Sequence, residues 1–455
     1  MTVVLAVEAR GFAPESPDRV RFFPDTLFLI DEHGMISETI RSDDRDFNDR
    51  RRQLKAAGLY RRIPAGRYLL PGFVDTHVHA PQWAQTGTGL DEPLNVWLDK
   101  YTFPTEARFE DVEYARTVYG NLVGKLLSVG TTTVVHYATI HRQASVELAR
   151  ISAEKGQRAL VGRLVMDDPE ANPDYYRDSS TRSGLDETER FIRDVEDISR
   201  TSRQGVYPVI SPRFIPSCTD EVLKGLGSIA ERHHDTAYIQ THCSEGEWEH
   251  HYAFGRYGRS DTEVLKGFGL LTDRSILGHC VHLSDRDIEL FHEAGAVVSH
   301  CPHSNAFFAS AVAPVRKYLD QGLKVGLGSD ISGGFTPNLY ETIRQSVISS
   351  RMLETGVNAA IAADRRGVPD SALTLNQAFY LATAGGGEAL GLPVGRLEPG
   401  YAWDAQVVDV RRRENPLPIF DKDEAPLDIF QKIMNLSEAS NIRQVWVQGR
   451  LVVEK

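Results

Sequence analysis

Between residues 66 and 385, short apolar runs alternate with longer stretches of helical period. The runs are YLLPGFVDT, TTTVVHY, RALVGRLVM, VYPVIS, TAYIQT, SILGH, AVVSH and KVGLGS. Each is too apolar to have one wet face, which is the pattern of parallel strands covered on both sides. Between the first two, Val112, Ala115, Val118, Tyr119, Leu122, Val123 and Leu126 fall on one face of a helix that Gly130 stops. Before the seventh, Ser284 and Asp287 have capping-box spacing and Gly295 suits the position just past the helix end. Eight such units in about 320 residues predict an α/β protein, a (β/α)8 TIM barrel with insertions.

The two chain ends read differently. Residues 1–65 carry short β-like runs such as TLFLIDEHG and a polar interval, Arg41 to Lys55, expected as a solvated loop or short helix. Residues 386–455 return to short strands and turns, GRLEPGYAWDAQVVDV and then IRQVWVQGRLVVEK. Neither end is large enough to fold alone. The simplest expectation is a small composite β-sandwich domain from 1–65 and 386–455, beside a barrel spanning 66–385.

Composition narrows the class of function. Lys plus Arg is 51 and Asp plus Glu is 63, so the formal net charge is −12, without the basic footprint of a nucleic-acid binder. With 41% hydrophobic and 25% charged residues, the chain can bury a large core. No apolar run approaches the ~18 residues of a membrane-crossing helix. MTVVLAVEARG lacks the features of a signal peptide. Four cysteines in 455 residues are no disulfide framework. The expectation is a cytoplasmic protein with reduced thiols, bound to neither membrane nor nucleic acid.

A barrel places its chemistry at the C-terminal ends of its strands. Here those ends read DTHVH (75–79), SPRF (211–214), THCSE (241–245), GHCVH (278–282), HCPH (300–303) and GSD (328–330). His77 and His79 are two apart on an extended segment and so share a side. An HxH alone is a weak signal, but His242 and Asp330 at two other strand ends strengthen it. Imidazole and carboxylate are the usual ligands of a catalytic divalent metal. His136, His141, His233, His234, His250, His251, His292, His300 and His303 read as surface or packing residues. Cys243, Cys280 and Cys301 read as small buried groups behind the site rather than ligands.

In this order, PGFVDTHVH, THCSE, GHCVH and GSD resemble the amidohydrolase superfamily. HAPQ (79–82), EPLNVWLDKYTFPTEARFED (92–111), SPRF and CPHSN (301–305) narrow the resemblance to the guanine deaminases. The resemblance implies one Zn2+ per chain, held by His77, His79, His242 and Asp330; iron can also occupy such sites. The fourth strand has no lysine, which favours a single metal. Glu245 is implied as the proton donor to the ring, His279 as the group orienting the attacking oxygen, and Asp330 as acceptor of the water proton. Gln82, Arg213 and Phe214 would read the edges of a small purine, and Trp97 and Phe103 either wall its pocket or simply pack. Purine catabolism or salvage and a homodimer are further implications. Two departures stand near the expected pocket: Gly246 where Asn is usual, and His303 where a small residue is commoner. They keep open another aminated ring (8-oxoguanine, a pterin, a triazine or a thio-purine). A metal-free scaffold is the remaining alternative, and a scaffold would need none of the six implicated His, Asp and Glu residues.

Overall fold

The computed structural model describes residues 2–421 and 423–455. Five strands come first: β1 (Val3–Ser16), β2 (Arg19–Asp31), β3 (Ile36–Arg41), β4 (Tyr60–Arg62) and β5 (Arg67–Pro71). Eight more alternate with helices: β6 (Phe73–His79), β7 (Thr131–Tyr137), β8 (Arg158–Val165), β9 (Val206–Pro212), β10 (Tyr238–Cys243), β11 (Ser275–His279), β12 (Val297–His300) and β13 (Lys324–Leu327). The chain ends on β14 (Ala405–Asp409), β15 (Ile442–Val447) and β16 (Arg450–Glu454).

Strands β6 to β13 form a closed parallel barrel in chain order, with Leu327 of β13 pairing Asp75 of β6. These are the eight apolar runs of the sequence, and nearly every residue in them is buried. The expected helix spans Val112–Ser128, with the Asp111 carboxylate accepting from the Glu113 and Tyr114 N–H groups. It buries Ala115, Tyr119, Leu122, Val123 and Leu126 against the barrel. The Ser284–Asp287 capping box is present, and Gly295 follows with φ 72°.

The terminal segments form one mixed sheet, ordered β16-β15-β14-β5-β1-β2-β3, with β4 beside β1. Phe28, Ile30 and Ile36 share a buried cluster with Trp403, Val407 and Trp446, so the two wings close on a common core. The polar interval contains the helix Phe47–Ala56, which buries Phe47 and Leu54.

Both expected boundaries move. The run YLLPGFVDT is two strands rather than one. Its first half, β5, bridges β14 and β1 in the terminal sheet, and only its second half enters the barrel. The chain changes sheet at Gly72, where a Cβ would lie 2.3 Å from the Thr132 hydroxyl. At the other end, residue 386 falls inside the helix Ala384–Leu390, which packs on β13 and β6. A hydrophobic run records burial, not which sheet buries it.

Candidate active site

His77 and His79 leave the end of β6 on the same side, as their spacing predicts, and meet His242 from β10, His279 from β11 and Asp330 just past β13. His279 and Asp330 hold left-handed backbone, with φ 69° and 49°. Non-glycine residues rarely adopt that conformation, and it concentrates where geometry serves function.

The nitrogen positions suit a cation. His79 Nε2 and His242 Nε2 face each other at 3.0 Å. The Arg213 carbonyl accepts from His242 Nδ1 at 2.6 Å, so the proton sits there and Nε2 presents a lone pair. His77 Nε2, fully buried, has no hydrogen-bond partner and lies 3.4 Å from Asp330 Oδ1; His79 Nε2 is 3.7 Å from the same oxygen. Burial, reinforced by neighbouring histidines, pushes the His77, His79 and His242 pKa values well below the ordinary range. Neutral nitrogens aimed at one point beside a carboxylate fit a divalent metal of the zinc type. Tyr137 stacks on His79 with ring centroids 4.5 Å apart and buttresses the cluster. Cys301 also lies within reach of His77, His279 and Asp330. Burial pushes its thiol well above the usual range, which disfavours the thiolate that ligation needs.

Proton-handling groups flank this centre. Burial raises the Glu245 carboxyl to about 7, against the opposing pull of Arg213. Burial also raises Asp330 to about 7, with His279 pulling the other way. His279 Nδ1 donates to Asn305 Oδ1 at 2.9 Å. Its Nε2 is thereby left facing Glu245 Oε2 at 3.6 Å and Asp330 Oδ2 at 3.9 Å. The Glu245 N–H donates to the buried carboxylate of Glu249 at 2.8 Å, which fixes the turn carrying Glu245.

A pocket opens directly onto these groups. Gln82, Arg213, Phe214 and Trp97, all four expected substrate contacts, line it together with His79, His242, Glu245, His279 and Asp330. Trp97 packs on Phe308 at 5.1 Å and donates its indole N–H to the Thr88 carbonyl at 2.9 Å. Phe103 does not line the pocket; its ring lies 5.2 Å from the Arg213 guanidinium. Neither departure from the family pattern lines it either. Gly246 caps the helix Glu247–Tyr257, and a Cβ there would meet only the Ala309 Cα, at 3.8 Å. His303 is buried against Phe335, at 4.8 Å.

Glu106 is the site residue that sequence reasoning missed. Its fully buried carboxylate accepts from Arg213 Nη1 at 2.7 Å, Arg213 Nη2 at 3.2 Å and Gln82 Nε2 at 2.8 Å. The signal was present: Glu106 is an acid inside WLDKYTFPTE, the stretch that most narrows the resemblance. Leu94, Leu98, Phe308 and Gly333 complete the pocket wall, and no motif distinguishes them.

Comparison with known proteins agrees with this geometry. Residues 68–452 match the Amidohydrolase family. The guanine deaminase of Dictyostelium discoideum is 38% identical over 95% of each chain. That of Homo sapiens is 36% identical over 86% of this chain and 84% of its own. A crystal structure of guanine deaminase from C. acetobutylicum, with bound guanine in its active site, superposes with a TM-score of 0.85 at 29% identity, over 99% of this chain and all of that one. The chain therefore belongs to the amidohydrolase family and, within it, to the guanine deaminases, hydrolytic enzymes that act on carbon–nitrogen bonds.

Proposed function

We propose that this chain deaminates guanine hydrolytically, giving xanthine and ammonia, with one zinc per chain held by His77, His79, His242 and Asp330. The observation that carries the reading is the convergence of three neutral imidazoles and a carboxylate at the floor of a pocket walled by Arg213, Gln82 and Trp97. The metal would supply a water activated for attack at neutral pH.

The chain's own residues do the rest. Gln82 and Arg213 hold the carbonyl-bearing edge of the base, while Trp97 and Phe214 cover its flat surface. Glu245, with its carboxyl raised to about 7, can carry a proton at neutral pH and deliver it to the ring nitrogen beside C2 as water adds there. His279, with its Nδ1–H committed to Asn305, orients the attacking oxygen through Nε2. Asp330 takes one water proton, which then passes to the departing amine, and the proton of the added hydroxyl returns to Glu245 as ammonia leaves and the C2 carbonyl forms.

A cytoplasmic location and a homodimer belong to the same reading. All four cysteines are unpaired and buried, which suits a reducing compartment. No helix among the described residues is long and apolar enough to cross a membrane. Ile348 and Met352, one turn apart on the helix Leu339–Thr355, and the nearby Val357 and Val368 expose apolar surface that a second copy would cover. Light scattering gives the mass in solution.

The deciding experiment measures ammonia release and product absorbance with guanine, 8-oxoguanine, pterins, triazines and thio-purines, alongside metal analysis. Turnover of guanine to xanthine with about one zinc per chain is expected. Turnover of another ring alone moves the substrate and leaves the site. A metal-free, inert protein removes the whole reading.

A further inference from the structure

Glu106 does not itself line the pocket, yet it bonds two of the side chains that do, Arg213 and Gln82. It sits on the short helix Phe103–Ala107 with its side chain fully buried. Both carboxylate oxygens are committed, Oε2 to Arg213 Nη1 and Oε1 to Arg213 Nη2 and Gln82 Nε2. Phe103 closes one face of the same guanidinium. Gln82 is pinned from its other side as well, since its Oε1 accepts from the Ser332 N–H at 3.1 Å.

A guanidinium has five N–H groups in a rigid fork, and a bidentate carboxylate occupies one edge of it. The remaining N–H groups then point in directions that Glu106 decides. An arginine buried without this partner would be an uncompensated charge free to turn toward any acceptor. Gln82 is subject to the same control. With its Nε2 tied to Glu106 and its Oε1 to the backbone, its amide cannot flip to exchange donor for acceptor.

We infer that Glu106 is a positioning residue for substrate recognition. Through Arg213 and Gln82 it fixes a donor-rich wall that selects a ring edge bearing a carbonyl acceptor over one bearing an amine. The inference rests on the proposed deaminase activity and deepens it. Glu106 takes no part in proton transfer, so its loss should appear in recognition and leave the metal in place.

A double-mutant cycle on kcat/KM tests this. Glu106→Gln should lower kcat/KM on the order of 10- to 100-fold, mostly through KM, with metal content at the wild-type level. In an Arg213→Ala background the same change should add less than about threefold, because the group it acts through is already gone. Glu106→Asp keeps the charge but shortens the reach, so it should fold and still raise KM; it decides the matter if Glu106→Gln does not fold. A wild-type KM in Glu106→Asp, or a Glu106→Gln loss undiminished in the Arg213→Ala background, overturns the inference. The cycle is run on whichever ring the wild-type protein deaminates. Indifference of the wild type to guanine therefore overturns the substrate reading alone, and the cycle still decides on Glu106.

Discussion

Two of the buried guanidinium–carboxylate pairs, one at each end of the barrel, have the same chemistry and the same burial. At the N-terminal end, Arg158 opens β8 and pairs with Asp404, which immediately precedes β14 of the terminal sheet, with side chains 4% and 0% exposed. At the C-terminal end, Arg213 follows β9 and pairs with Glu106, also 4% and 0% exposed. The difference lies in what the rest of each guanidinium meets. Arg158 gives its other N–H groups to Thr133 Oγ1 at 3.2 Å and to Gln448 Oε1, so it clamps the sheet onto the barrel floor. Arg213 spends one edge on Glu106 and sets Nη1 3.7 Å from Met166 Sδ, yet it still lines a pocket. A buried ion pair is thus no sign of function by itself; donors left aimed at a shared space are.

The same contrast extends to the histidines. His136, on β7 beneath the site, is buried with Nε2 against Gln157 Oε1 at 3.3 Å; its Nδ1 has no hydrogen-bond partner, but the residue belongs to no group of converging ligand atoms and does not line the pocket. His77 and His279 are buried too, but each leaves its Nε2 directed at the centre of the strand ends. The contrast predicts that perturbing the C-terminal end lowers activity in the molecules that remain folded, at Arg213 with a stability cost as well because Glu106 is left unpaired, and that perturbing the N-terminal end lowers stability alone.

The largest effect belongs to His77→Ala. It should abolish both metal retention and ammonia release, read by elemental analysis and a coupled ammonia assay. Chelation of the wild-type protein should mimic it, and added zinc should restore activity to the chelated wild type only.

Glu245→Gln should keep its metal and lose turnover by about 10^2- to 10^4-fold, the usual range for a general acid. Loss of metal from this variant would show that Glu245 belongs with the ligands and blur the division between holding and proton transfer.

Arg213→Ala should cut kcat/KM for guanine by about 10^2-fold, chiefly through KM, with metal unchanged. It should also narrow the preference for guanine over adenine. Adenine sets a donor against the donors of Arg213, at ~1–3 kcal/mol for each buried group left unpaired. Efficient turnover of adenine by the intact protein would contradict the pocket assignment.

The smallest effect on catalysis belongs to Arg158→Ala. Leaving Asp404 buried without its partner should cost about 3–5 kcal/mol of stability, visible as a lower Tm. The fraction still folded should retain wild-type kcat/KM. A variant that instead folds normally and turns over poorly would erase the contrast between the two ends.

Much of this was legible in the chain. The eight apolar runs became the barrel strands because a strand buried on both faces must be apolar throughout, a local property. DTHVH, THCSE, GHCVH and GSD located the site because a parallel barrel gathers its strand ends on one face, whatever lies between them in sequence. The spacing of His77 and His79 sufficed to put both on one side of β6.

Other features depended on which surfaces met. Gly72 divides one hydrophobic run between two sheets, and nothing in that run's composition marks the division, because burial by either sheet makes the same demand. Phe103 reads equally well as a pocket wall or as packing, and only the position of Arg213 settles that it covers a guanidinium. Gly246 interrupts a motif next to His242 yet caps a helix outside the pocket, because the chain turns away after Glu245. Glu106 and Arg213 are 107 residues apart. Hydrophobic period and motif spacing record what a residue needs from its immediate neighbours and from burial in general. The identity of a distant partner enters only when the barrel closes and brings the two charges together without water.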